Sequence, residues 1–344
     1  MIEVKAQDPP GLDLTRLSAW WETALGRLDG ALRAQLLTGG KSNLTYVLSD
    51  NHCTWVLRRP PLGHVLATAH DMAREYRVIS ALHATAVPTP KTFALCEDPA
   101  PLGAPFYVME YVEGTPYRLA DELRNLGTTR TEQIAQRLVD TLADLHAVDP
   151  ASVGLADFGR AEGYLERQVA RWRKQMAASK SRELPAADQL HDLLAVNIPV
   201  QQRPAIVHGD FRLDNVLFDD QDRPTAVLDW EMATLGDPLS DLALMVIYGR
   251  LSQLPLAGLV SDVVLAPGYP AEAQITSRYA ERTGLDIRHL GFHLGLAAYK
   301  LAGIVEGINY RHLQGQTVGP GFDGLGSSVD ALLQMGIEAI RNER

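Results

Sequence analysis

At 344 residues the chain is long for one domain, and 46% hydrophobic with 22% charged residues is the make-up of an ordinary globule with a sizeable core. A formal net charge of −10 argues against a protein whose main task is to hold DNA or RNA phosphates. Two cysteines, Cys53 and Cys96, are too few for a disulfide framework or a Cys-rich zinc site. Both read as small buried apolar residues of a chain in a reducing compartment. The start shows no basic and apolar signal-peptide pattern, and no uncharged apolar run reaches the roughly 18 residues of a membrane span. A cytoplasmic protein without membrane or nucleic-acid partners is expected.

In chain order, Leu14 to Gly26 has helical spacing, with Asp13 as its cap. Alternating or apolar runs predict strands at Arg33 to Thr38, Leu44 to Ser49, Cys53 to Arg58, Lys91 to Cys96 and Pro105 to Met109. Asp50-Asn51 makes a hairpin turn between the second and third. Asp71 to His83 predicts another helix, which stops before Pro88 and Pro90. After Gly114 the texture turns helical. Thr129 to His146 carries the stripe Ile134, Leu138, Leu142, Leu145 with Thr129 capping. Glu162 to Ala178 and Leu290 to Arg311 are further helices, and Ala205 to Val207 and Thr225 to Leu228 are short strands. The reading is an α+β chain: a small antiparallel-sheet lobe of five strands plus helices (1–113), joined by a short link to a larger helical lobe (114–344). The first carries 10 basic and 12 acidic side chains and the second 22 and 30. The acidic second lobe suits a metal, a cationic substrate or plain solubility alike.

Chemistry concentrates in Ile206-Val207-His208-Gly209-Asp210-Phe211-Arg212-Leu213-Asp214-Asn215-Val216-Leu217-Phe218, where polar residues crowd between two apolar segments. Val227-Leu228-Asp229-Trp230-Glu231 follows, another acidic group at the end of an apolar strand. Loops at strand ends are where catalytic side chains usually sit. The logic is that of phosphoryl transfer, which needs oxygen ligands for Mg²⁺, a carboxylate to orient the attacking hydroxyl, and positive charge on the moving group. Asp210 followed five residues later by Asn215 has the spacing of a kinase catalytic loop. Asp229 falls where the metal-holding Asp of the kinase D-F-G element would be, though here it reads Asp-Trp-Glu, and Arg212 where protein kinases often carry a Lys aimed at the γ-phosphate.

H-G-D-x-x-x-x-N, then apolar-D-W-E, then Gly236-Asp237-Pro238-Leu239-Ser240-Asp241-Leu242-Ala243 together resemble the aminoglycoside phosphotransferase and choline kinase-like family. The resemblance covers nearly the whole chain and implies a protein-kinase-like two-lobe fold, ATP and Mg²⁺ as cofactors, and a small-molecule hydroxyl as acceptor. It implies Asp210 and Arg212 as catalytic residues and Asn215 and Asp229 as Mg²⁺ ligands. Asp241 would brace the catalytic loop, and His208 would be structural rather than a proton shuttle. In the first lobe Gly39, Gly40, Lys41, Ser42 and Asn43 resemble the nucleotide-covering turn, although taken alone they make a hairpin turn. Strand alternation puts Val56 and Arg58 on one face and Leu57 and Arg59 on the other. Val56 would line the adenine pocket, and Arg58, standing where the family commonly has Lys, would contact the α/β-phosphates. Glu75 matches the helix glutamate that pairs with that cation; the plain alternative is a solvated helix face. Met109, Glu110 and Val112 resemble the hinge, where the Glu110 carbonyl and Val112 N–H would meet the adenine edge. Asp210, Asn215 and Asp229 are thus expected to converge on the nucleotide's phosphates in the crevice between lobes.

Gly40-Lys41-Ser42 does not complete a P-loop, because Gln35 stands where a glycine is required and a strand follows instead of a helix. A nucleotide-binding pseudokinase without turnover is disfavoured by the presence of all three oxygen-bearing residues. Within the family, H-G-D-F-R-L-D-N with Leu57-Arg58-Arg59-Pro60-Pro61 resembles a subgroup that contains the kinase-like domain attached to certain acyl-CoA dehydrogenases and many bacterial phosphotransferases, some of them associated with phosphorylating hydroxyacyl-CoA. The antibiotic kinases, the alternative, carry His at the place of Arg212. Lys300, Tyr310 and Arg311, in a segment also similar to that group, are candidates to meet an anionic acceptor or simply to pack. The acceptor and the oligomeric state are not written in these motifs.

Overall fold

The computed structural model describes residues 8–37, 43–63, 70–252, 261–317 and 324–343. The chain divides into two compact units, Met1–Glu113 with Thr225–Glu231, and Gly114–Pro224 with Met232–Arg344.

The first unit begins with α1 (Leu14–Ala24), whose Asp13 carboxylate accepts the Arg16 N–H at 2.9 Å, a side-chain N-cap. Five strands follow, β1 (Arg33–Leu36), β2 (Leu44–Ser49), β3 (Thr54–Arg59), β4 (Thr92–Cys96) and β5 (Phe106–Glu110). They form one antiparallel sheet in the order β1-β2-β3-β5-β4. The β2–β3 turn is built by Asp50, whose carboxylate accepts the N–H groups of His52 and Cys53 at 2.8 Å each. That turn leaves Cys53 exposed, against its expected burial, whereas Cys96 at the end of β4 is buried. Between β3 and β4 runs α2 (Met72–Leu82), capped by Asp71 through the Arg74 N–H at 2.9 Å.

Strand alternation divides the sheet chemically. Leu57, Phe106 and Val108 join Tyr46 and Leu48 in a core with Leu17 and Trp21 of α1. Each such side chain taken fully out of water contributes roughly 1.5–3 kcal/mol. On the other face register pairs Val56 with Met109 and Arg58 with Tyr107. A charged residue on this face is tolerable only because α2 brings a carboxylate to meet it.

The second unit is helical: α3 (Ala120–Leu126), α4 (Thr128–Ala147), α5 (Tyr164–Ser179), α6 (Pro185–Val196), α7 (Leu239–Leu251), α8 (Glu272–Thr283), α9 (Leu290–Leu313) and α10 (Leu325–Asn342). α4 starts one residue before the expected Thr129, with Gly127 at its N-cap and no side-chain cap. α9 packs against α5, α6, α7 and α10. Its approach to α10 depends on glycine, since a Cβ on Gly295 would lie 2.7 Å from the Ile340 side chain. Short strands β6 (Ala205–Val207) and β9 (Thr234–Gly236) pair antiparallel and frame the loop between them. β7 (Val216–Phe218) takes an antiparallel bridge from Thr115, which fixes the chain just after Gly114.

One boundary differs from the expected continuous 114–344 lobe. Thr225–Glu231, containing most of β8 (Pro224–Val227), folds with the first unit. The Val227 N–H donates to the Pro88 carbonyl at 2.8 Å and the Thr225 hydroxyl to the Glu113 carbonyl at 3.2 Å. This excursion delivers Asp229 to the sheet unit. Among the described residues, no helix is long and apolar enough to cross a membrane.

Candidate active site

In the sheet unit the site is built around Arg58. Its side chain is 11% exposed, and its Nη2 donates to Asp229 Oδ1 at 2.7 Å while Nε lies 3.2 Å from Glu75 Oε2. Glu75 of α2 is nearly fully buried and, beside this ion pair, accepts hydrogen bonds from the Tyr107 hydroxyl at 2.9 Å and Asn43 Nδ2 at 2.8 Å. Burial is the largest influence on the Glu75 carboxyl and pushes it up to about 7, against the opposing pull of Arg58 and Tyr107. At Arg58 burial works against the charge, but Tyr107, Glu75 and Asp229 together outweigh it and raise the pKa further. The guanidinium is therefore permanently charged. Glu75 is thus a partner of Arg58 and not a solvated face.

Asn43 occupies a different place from the nucleotide-facing one expected. It is buried, its Nδ2 bridges Glu75 and Glu231 (3.2 Å to Oε2), and its Oδ1 meets His70 Nδ1 at 2.7 Å. An amide with both ends satisfied this way links β2, α2 and the Asp229 segment. Gly39, Gly40, Lys41 and Ser42 lie outside the described residues. Asp229 is one of two non-glycine residues with positive φ (65°) among those described, a conformation that Arg58 helps to hold. Val56 and Met109 are buried side by side on adjacent strands. Glu110 is exposed at the end of β5, where its N–H donates to the Lys91 carbonyl at 2.8 Å, and Val112 is half-buried beyond it.

In the helical unit the site is the loop after β6. Asp241 of α7, 1% exposed, accepts the N–H of His208 at 2.6 Å and that of Gly209 at 2.8 Å, and meets His146 Nε2 at 3.2 Å. Burial alone would raise the Asp241 carboxyl; the hydrogen bond and charge of His146, with His208, hold it below its ordinary value. His208 is fully buried, and its Nδ1 accepts the Asp210 N–H at 3.2 Å. Gly209 has φ +85°, and a Cβ there would stand 2.8 Å from the Met232 carbonyl oxygen, so only glycine fits. Its own carbonyl accepts Lys300 Nζ at 2.9 Å.

Asp210 emerges from this bracing partly exposed. Its Oδ1 accepts the Tyr248 hydroxyl at 2.7 Å, and its Oδ2 lies 3.2 Å from Asn215 Nδ2 and 3.4 Å from Arg212 Nε. Asn215 Nδ2 also donates to the Asp210 carbonyl at 2.9 Å. The amide nitrogen is thus committed to Asp210, which assigns the other end of the amide as the oxygen acceptor. Arg212 also reaches Asp214 Oδ2 at 3.1 Å, a buried carboxyl raised by burial. The geometry thus joins Asp210, Arg212 and Asn215 in one unit, and Arg58, Glu75 and Asp229 in the other. Of the α9 candidates, Lys300 lies against the loop, whereas Tyr310 and Arg311 are exposed, ten and eleven residues farther along the helix at about 1.5 Å per residue.

Sequence reasoning missed Tyr107, Glu231, His146 and Tyr248. Tyr107 could have been found from register, since it sits opposite Arg58, and Glu231 from its place in the D-W-E motif. His146 and Tyr248 carry no local signal. Among the described residues no three His, Cys, Asp or Glu side chains are placed to hold a metal ion by themselves. Asp and Asn oxygens are of the hard type that suits Mg²⁺, which takes one or two protein oxygens and completes its shell with water and substrate phosphates.

A sheet unit with a buried Arg–Glu pair and a helical unit with a braced Asp-x-x-x-x-Asn loop define a kinase-fold phosphotransferase. The Phosphotransferase enzyme family model matches residues 33–273, and the chain belongs to that family. Acyl-CoA dehydrogenase family member 11 of Rattus norvegicus is 37% identical over 309 residues, 88% of this chain but 39% of the relative. The chain therefore spans about two fifths of that curated relative's length. A protein of Ralstonia eutropha, provisionally named an aminoglycoside phosphotransferase, is 33% identical with a TM-score of 0.84, covering 96% of this chain and 98% of that one. The aminoglycoside phosphotransferase APH(4)-Ia, as a thermostable mutant in ternary complex with AMP-PNP and hygromycin B, shares the fold at 18% identity with a TM-score of 0.60, covering 94% and 98%.

Proposed function

We propose that the protein transfers the γ-phosphoryl group of ATP, with Mg²⁺, to the hydroxyl of a small alcohol resembling a hydroxyacyl-CoA. The observation that carries this reading is the Asp210 carboxylate, partly exposed and fixed by Tyr248 and Asn215 on a loop whose backbone Asp241 and Lys300 hold. A base so oriented can accept the proton of an attacking hydroxyl, an effect of about 10²- to 10⁴-fold. Val56 and Met109 would flank the adenine, and the Glu110 carbonyl and Val112 N–H would meet its edge. Asn215 and Asp229 would hold Mg²⁺, which when bound neutralises charge on the phosphates. Arg58 would face the α/β-phosphates while kept in place by Glu75, and Arg212 would steady the transferred group.

The acyl-CoA dehydrogenase name of the curated relative favours a thioester-bearing alcohol over an antibiotic, and the ammonium of Lys300 beside the catalytic loop suits an anionic acceptor. The test is a coupled ADP-release screen with hydroxyacyl-CoAs, aminoglycosides and choline-like alcohols. Turnover of hydroxyacyl-CoAs is the expected result. Turnover of aminoglycosides alone would overturn the substrate class, and MgATP binding without any ADP release would make the chain a nucleotide-binding module.

A further inference from the structure

Helix α7 touches the catalytic loop twice. Asp241 in its first turn takes two backbone N–H groups of the loop, and Tyr248 takes the Asp210 carboxylate. Seven residues apart, they lie two turns along one helix face, about 10 Å from each other. One rigid element thus sets both the path of the loop and the rotamer of its carboxylate.

We propose that Tyr248 is a positioning residue for phosphoryl transfer, its hydroxyl occupying Asp210 Oδ1 so that Oδ2 receives the acceptor's proton. This rests on the phosphotransferase reading above. The Oδ1 contact is short, at 2.7 Å, while Oδ2 has longer contacts, to Asn215 at 3.2 Å and Arg212 at 3.4 Å, among the described residues. In the step, the acceptor O–H bond breaks and its proton passes to Oδ2. The freed electron pair forms the new O–P bond, and the bond to ADP breaks with ADP keeping its electrons. A phenylalanine would fill the same space, so packing alone does not call for the hydroxyl. Burial, then the charge of Asp210, raises the phenol well above its ordinary value, which keeps it a donor. The Arg212 guanidinium stacks over the ring, 5.0 Å from its centroid, so the same side chain also steadies the cation next to the base.

The experiment compares Tyr248→Phe with wild type in ADP release from MgATP, using water and the best alcohol of the screen as acceptors. The variant keeps the ring and its stack on Arg212. It should lose about ten- to a hundredfold in kcat, the equivalent of one hydrogen bond to a charged group, with KM for MgATP within about twofold. In an Asp210→Asn background the same substitution should cause no further loss, because the proton-accepting carboxylate that Tyr248 orients is gone. An unchanged kcat, a loss confined to KM, or an equal loss in the Asp210→Asn background would each overturn the proposal. Absence of ADP release from the wild type would instead overturn the phosphotransferase reading. An Asp210→Asn enzyme as active as wild type would overturn the role of Asp210 itself.

Discussion

Around Arg58, one cation is shared by carboxylates brought from separate parts of the chain; around Asp210, a braced backbone and two neutral donors act beside a single neighbouring cation, Arg212. The first cluster draws Arg58 from β3, Glu75 from α2, and Asp229 and Glu231 from a distant excursion of the chain, with Asn43 and Tyr107 between them. The second is mostly one short loop whose peptide groups are gripped by Asp241 and Lys300 and whose carboxylate is met by Tyr248 and Asn215. The difference separates two kinds of dependence. A cluster of opposite charges needs every member for its stability. A loop braced through its backbone can lose the carboxylate of Asp210 and keep its shape.

The largest expected effect therefore falls on chemistry with little effect on folding. Asp210→Asn keeps the size and shape of the side chain, with one oxygen left to accept from Tyr248. It should cut turnover by about 10²- to 10⁴-fold while leaving MgATP affinity within about twofold. Steady-state ADP release and calorimetric titration of MgATP check the two halves. A large loss of nucleotide affinity would mean that Asp210 acts on the nucleotide and not on the acceptor.

The contrast also explains what could be read from the chain. The candidate loop after β6 was legible because its polar residues are contiguous: Asp210 and Asn215 stand at a fixed spacing, and Gly209 supplies the positive φ the turn requires. Strand alternation around Val56 and Arg58 was legible for a similar reason, since a period of two needs only neighbouring residues. Asp229 was found as a motif, but its membership in the sheet unit was not, because that depends on a seven-residue excursion pinned at Pro88 and Glu113. Tyr248 lies on α7, which is buried on nearly every side and so shows no amphipathic stripe to orient it. Cys53 was misplaced for the opposite reason: burial is common for cysteine, but the Asp50 turn points it outward.

Next in size is the loss of the cation that neutralises the first cluster. Arg58→Met leaves Glu75 and Asp229 without their shared partner in a poorly hydrated site. It should cost about 3 kcal/mol, at the low end for a broken buried ion pair because Glu75 can protonate in response. Denaturant midpoints at pH 8 measure it, and the double variant with Glu75→Gln should cost less than the sum of the two single changes. Strict additivity would show that the pair at 3.2 Å has no energetic coupling. Arg58→Lys should recover part of the loss, since an ammonium keeps the charge but cannot reach both carboxylates as a fork.

The smallest effect is also the one that separates the two regions by sign. Burial raises the Glu75 carboxyl from 4.5 to about 7, so between those values the folded chain holds a proton that the unfolded chain has released. Glu75 thus contributes stability that is fully present below about pH 4.5 and is lost as pH rises through about 7. Asp241 works the other way. Its carboxyl lies below its ordinary value of 3.8, so its contribution is present above that pH and disappears as pH falls through the lower folded value. Glu75→Gln should therefore flatten the decline in denaturant midpoint between pH 5 and 8, while Asp241→Asn should leave that limb alone and lower the midpoint throughout it. If the Glu75→Gln curve ran parallel to wild type over this range, the cluster around Arg58 would have to hold Glu75 ionised, the Arg58 charge and the Tyr107 and Asn43 donors outweighing the burial that defines it here.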